Sequence, residues 1–134
     1  MCFSEIPLHC LDRLAARRGR YGVGFTKQFL THAGGAPVWY LEKDSPNLVA
    51  MQQLIANARV KPHPESDPIW KLTPFVDAPG DYPTGTYRFE WEREWRHVGQ
   101  LKFSEQDVSF LILPEELHDA ARSFFQNALH ENLG

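Results

Sequence analysis

Three carboxylates, Glu90, Glu92 and Glu94, fall on one face of residues 86–96 if that run is extended, with Arg88 and Arg96 on the same face. At a rise of about 3.3 Å per residue, neighbouring acids on this face lie about 7 Å apart. Repulsion at that spacing is modest in water, but it raises a carboxylate pKa where the face lies in a cleft. The chemistry open to such a run is that of a carboxylate site facing a ligand. The competing reading is a solvated strand face whose acids are balanced by Arg88 and Arg96. The opposite face carries Tyr87, Phe89, Trp91 and Trp95, interrupted by Arg93. Alternating aromatics of this kind favour a half-buried strand with its rings in the core.

Other chemistries find little support. No G-x-x-x-x-G-K-(S/T) phosphate loop and no G-x-S-x-G elbow occurs. Ser4, Ser45, Ser104 and Ser109 have no recognisable His–Asp pairing. Cys2 and Cys10 are spaced unlike any common zinc site, His9 is a poor ligand, and no metal site is expected. Two cysteines in such a chain read as free thiols of a cytoplasmic protein. No window approaches the roughly 18 to 20 apolar residues of a membrane span, and no signal-peptide pattern is present. The net charge of −3 conceals an asymmetry: residues 1–30 carry +3 and residues 104–134 carry −5. That polarity suits a partner or an anionic ligand at the basic end. A pI of about 6.0 and the lack of a basic stripe interleaved with aromatics argue against nucleic acid.

The elements that would position these residues can be placed from periodicity and caps. The 134 residues are expected to form a single domain, 1–134. A helix is predicted over residues 8–18, with Leu8, Leu11, Leu14 and Ala15 on one side and Gly19 ending it. Residues 21–25 read as a strand and 26–32 as a helical turn, followed by a strand at 37–42. Ser45 and Pro46 open a helix running to Arg59, its stripe formed by Leu48, Met51, Leu54, Ile55 and Ala58. Six prolines in residues 62–85 predict a long loop, with one short strand at 69–75, that would cover a site. Beyond the central strand at 86–96, further strands are predicted at 98–103 and 107–113. A last helix opens at Pro114, with Leu117, Ala120, Ala121, Phe124, Ala128 and Leu129 as its core stripe. The class is α+β: a small mixed sheet of about five or six short strands flanked by helices.

Several of these segments together resemble a bacterial family. Residues 2–8, CFSEIPL, are similar to its "CF-(S/T)-(D/E)-IPL" opening, and residues 21–27, YGVGFTK, to its "YG-x-GF-x-K" strand. Residues 37–40, PVWY, match "PV-x-Y", and residues 92–96, EREWR, resemble "E-x-EWR". This is the pattern of AbiG-type abortive-infection phage-resistance proteins, labelled as antitoxins. The resemblance implies a non-enzymatic component of a phage-defence or toxin–antitoxin system, a protein partner such as a cognate toxin, and no cofactor. A remoter likeness to ADP-ribosyltransferase folds implies an alternative, in which NAD is held near Arg20 and Tyr21. Glu94 would then stabilise the developing oxocarbenium ion, with Glu92 as its neighbour and Arg96 lining the site. Such transferases begin with a strand that grips NAD upstream of a segment like CFSEIPL. Met1 directly precedes Cys2 here, so the expectation is either a misassigned start or a truncated, non-catalytic relative.

Overall fold

The computed structural model describes residues 1–5 and 7–133, with side chains for all of these except Leu8 and residues 128–133. Its strands are short: β1 is Cys2–Ser4, followed by helix α1 at Leu11–Arg18, β2 at Gly22–Gly24 and α2 at Lys27–His32. Then come β3 at Ala36–Pro37, β4 at Trp39–Tyr40, α3 at Pro46–Arg59 and α4 at Ile69–Leu72. The remainder is β5 at Val76–Asp77, β6 at Gly80–Tyr82, β7 at Gly85–Tyr87, β8 at Glu94–Arg96, β9 at Phe110–Ile112 and α5 at His118–Leu133. The class is α+β, as expected, but the described strands form four small sheets instead of one. Strands of two or three residues, separated by proline and glycine, are too short to extend a common ladder.

The chain divides into two compact units. Residues 1–7 and 27–102 form the first, and residues 8–26 and 103–134 the second. In the first, β8 is the central strand of an antiparallel sheet ordered β1–β8–β3, with Cys2 opposite Arg96 and Ser4 opposite Glu94. Beside it, Leu41, Met51, Ala58 and Ile69 form the buried core, and Leu48, Ile55, Trp70 and Val76 pack on it. Helix α3 starts as its residues dictate: the Ser45 hydroxyl accepts from the Leu48 amide at 3.2 Å and Pro46 takes the first turn. Of its expected stripe, Leu54 is exposed. In the second unit β2 pairs antiparallel with β9, and the Phe25 and Phe103 rings meet edge-to-face at 4.9 Å.

Several expected elements are corrected. Residues 86–96 are not one strand. β7 stops at Tyr87, a 3₁₀ turn occupies Glu90–Glu92, and Arg93 adopts the left-handed region at φ 46° before β8 begins. Phe89, Trp91 and Trp95 are therefore only half-buried. The proline-rich stretch 62–85 is not an open loop. Its expected strand at 69–75 is helix α4 followed by a 3₁₀ turn, because the Asp67 carboxylate caps the Ile69 amide at 2.9 Å after an Asp-Pro entry. No strand forms at 98–103, where Gly99 turns at φ 79°. The strand expected at 107–113 shortens to β9, since Asp107 closes a capping box with Ser104 over the turn Glu105–Asp107. In α5, Phe124 is 60% exposed, and Leu117, in the 3₁₀ turn before the helix, is exposed too, whereas Ala121 and Phe125 are half-buried. The apolar face that packs is thus that of Ala121 and Phe125, four residues apart on the helix, and not that of Phe124. Leu8, Ala128 and Leu129 lie outside the described side chains.

Candidate functional site

Strand β8 presents Glu94 and Arg96 on one face, two residues apart, and Trp95 on the other. On the first face the Arg96 guanidinium is the hub. Its Nη2 lies 2.7 Å from Glu94 Oε2 and 3.0 Å from Asp77 Oδ2, while Nη1 donates to the carbonyls of Pro74 at 3.0 Å and Val76 at 3.4 Å. Part of the 62–85 stretch is thus clamped directly onto the site. The Asp77 carboxylate also accepts from the Tyr87 hydroxyl, and its Oδ1 accepts from the Ala78 amide at 3.0 Å. The Tyr40 hydroxyl accepts from the Glu94 amide at 2.8 Å, and the Glu94 carbonyl accepts from the Val38 amide at 2.8 Å. The Glu94 and Arg96 side chains are 16% and 24% exposed.

The ionisation of this cluster follows from its geometry. Burial works against the Arg96 charge, but the Glu94 and Asp77 carboxylates outweigh it and hold the guanidinium more firmly charged. Burial, and then hydrogen bonding to the Asp77 carboxylate, pushes the Tyr87 phenol well above its ordinary value. Burial chiefly raises Tyr40 as well. The Cys2 thiol is pushed up by burial and by its hydrogen bond to the Glu94 carboxylate, which disfavours a thiolate at this position. On the opposite face, the Trp95 indole donates to Glu5 Oε2 at 2.9 Å and Lys27 pairs with the other Glu5 oxygen. Lys27, then Trp95, hold the Glu5 carboxyl below its usual range.

Of the residues expected at a ligand site, Glu94 and Arg96 meet within the first unit. Glu92 precedes them on the 3₁₀ turn and is 3% exposed, so it does not share a strand face with Glu94. Arg20 and Tyr21 belong to the second unit. There Arg20 reaches Glu116 at 3.4 Å, and Tyr21 is exposed. Asp77 and the Tyr87 hydroxyl are members of the cluster that sequence reasoning did not assign. Asp77 carried no signal, lying in a proline-rich stretch. Tyr40, Cys2, Glu5 and Lys27 did carry one, because each sits inside a segment that bears the family pattern.

Four separate segments, beginning at Cys2, Tyr21, Pro37 and Glu92, contribute side chains to the two faces of β8. A family model described as "Putative abortive phage resistance protein AbiGi, antitoxin" matches residues 1–130. The chain belongs to this AbiGi antitoxin family. No curated protein and no solved structure gives a match to it. Among the described residues no helix is long and apolar enough to cross a membrane, and no group of His, Cys, Asp and Glu could hold a metal ion.

Proposed function

We propose that this chain is a non-enzymatic antitoxin that acts by binding a protein partner, its cognate toxin. One observation carries the reading: Glu94 is engaged by Arg96 through its carboxylate and by Tyr40 through its amide, in a cluster largely closed to solvent. A carboxylate that stabilises a cationic transition state gains its effect by pointing at the reacting atoms. Here the Glu94 carboxylate is directed at Arg96 and the Cys2 thiol, and its backbone at Tyr40 and Val38, which suits a keystone joining the segments that begin at Cys2 and Pro37 to β8. Membership of the AbiGi antitoxin family supports the same reading, since an antitoxin needs a stable surface and not a turnover site.

The test is co-expression with a toxin-like gene adjoining its own. Relief of growth arrest together with co-purification of the two proteins is the expected result. In parallel, the protein is incubated with labelled NAD and with protein and nucleic-acid acceptors, where no transfer of label is expected. Robust transfer that disappears in Glu94→Gln would overturn the non-enzymatic reading.

A further inference from the structure

We infer that Arg93 is a recognition residue of the partner-binding surface, presenting its guanidinium to an aspartate or glutamate carboxylate of the partner. The inference rests on the partner-binding reading and names the chemistry that the partner must offer. Arg93 sits at φ 46° and ψ 63°, in the left-handed region. Glycine adopts that conformation freely, whereas a residue with a Cβ adopts it at a cost. The backbone there is fixed without help from the Arg93 side chain. Its amide donates to the Glu90 carbonyl at 3.1 Å, and its carbonyl, together with that of Glu92, accepts from the Glu5 amide at 3.1 Å. The side chain is exposed, and among the described residues it forms no hydrogen bond or ion pair. A turn that suits glycine thus carries a long cation that the fold does not use. Left-handed residues other than glycine cluster where a chain binds or clamps a ligand.

The surroundings select the anion. The neighbouring Glu5 carboxylate is engaged on both oxygens, by Lys27 and by the Trp95 indole at 2.9 Å, and Arg93 acts on it only through space. The N–H fork of Arg93 therefore faces outward with its donors available. Lys27, its side chain 63% exposed, holds Glu5 and still has donors to share. The other acids of this stretch do not pair with Arg93. Glu92 is 3% exposed, Glu94 is engaged by Arg96 on the opposite face of β8, and Glu90 lies 4.0 Å from Arg88. A guanidinium fork matches one carboxylate with two parallel hydrogen bonds. A nucleic-acid backbone is the poorer match, because Glu5 and Glu90 flank this point of positive charge and the whole chain carries −3, which repels a polyanion.

The probe is a short Asp/Gly peptide, titrated at low salt into the isotope-labelled full chain while the arginine Nε–H signals are followed. An oligothymidylate of equal charge is the comparison. Saturable shifts of the Arg93 Nε–H with the peptide, and weaker binding of the oligonucleotide, are expected. Arg93→Gly should abolish peptide binding, and Arg93→Lys, which keeps the charge but not the fork, should weaken it by roughly tenfold. Arg93→Gly should also melt within about 4 °C of the parent, because relief of the left-handed backbone offsets the freer unfolded chain. A larger fall would show that the side chain serves the fold, and would overturn the inference. So would the absence of saturable shifts, shifts confined to other arginines, unchanged peptide binding by Arg93→Gly, or an oligonucleotide that binds as tightly as the peptide. The titration needs no toxin, so its failure is separable from failure of growth rescue.

Discussion

Replacing Arg96 with methionine keeps an unbranched stem that reaches as far as Nε and removes the guanidinium with its charge and its donors. The structure allows the consequence to be worked out. Glu94 Oε2 and Asp77 Oδ2 lose contacts of 2.7 and 3.0 Å, and the Pro74 and Val76 carbonyls lose their donor. Removing one member of a buried ion pair costs about 3 to 5 kcal/mol, because the remaining charge stays desolvated. The Arg96, Asp77 and Glu94 side chains are 24%, 18% and 16% exposed, so water partly rescues the orphaned carboxylates. We therefore expect the lower end, about 3 kcal/mol, which for a chain of this size is a fall in Tm of about 10 °C. Thermal unfolding followed by far-ultraviolet circular dichroism at neutral pH measures it. The double variant Arg96→Met, Glu94→Gln should melt above the single one, since one of the two stranded charges is gone. A single variant melting within about 3 °C of the parent would refute the hub, as would additive losses in the double variant.

Other expectations follow from the same contacts. Ser45→Ala removes the cap of α3 and should cost about 1 kcal/mol in denaturant unfolding, whereas Ser45→Asp should be close to neutral. The Glu5 carboxyl is held below its ordinary value by Lys27 and Trp95. A depressed carboxyl stabilises the fold above its unfolded pKa and loses that contribution as pH falls through the folded one. Stability should therefore decline as pH drops below about 4.5, and Lys27→Met should flatten that part of a melting-temperature profile against pH. Because burial and then the Glu94 carboxylate raise the Cys2 thiol, alkylation of Cys2 near neutral pH should be slower than that of an unstructured cysteine peptide. Glu94→Gln should accelerate it, as site-resolved mass spectrometry of iodoacetamide adducts would show.

Much of the local architecture was legible in the chain. Ser45-Pro46 carries a hydroxyl acceptor and a fixed φ, so the start of α3 needs no tertiary help, and Pro114 with its following acids marks the approach to α5 equally well. The class and the family were legible for a related reason: short segments of distinctive type recur at a set order. The break at Arg93 was not legible: one charged residue in the row Tyr87, Phe89, Trp91, Trp95 is compatible with a continuous strand. A continuous aromatic strand would have buried it; the chain instead turns left-handed there and leaves it exposed.

What only tertiary structure decided is where side chains distant in sequence meet. Glu94 and Arg96 share a face by the strand period alone, yet nothing in residues 92–96 states that Asp77, Tyr40 and Cys2 satisfy them. Pairing β1 and β3 on either side of β8 is a long-range choice, made by burial of apolar surface and by backbone amides seeking acceptors. Helix α5 gives the converse case. Its composition allowed more than one apolar face, and packing, not periodicity, turned Ala121 and Phe125 inward and left Phe124 in water. Local propensity reads a few residues at a time; the sharing of a hydrogen bond across 54 positions, as between the Glu94 amide and the Tyr40 hydroxyl, lies beyond its range.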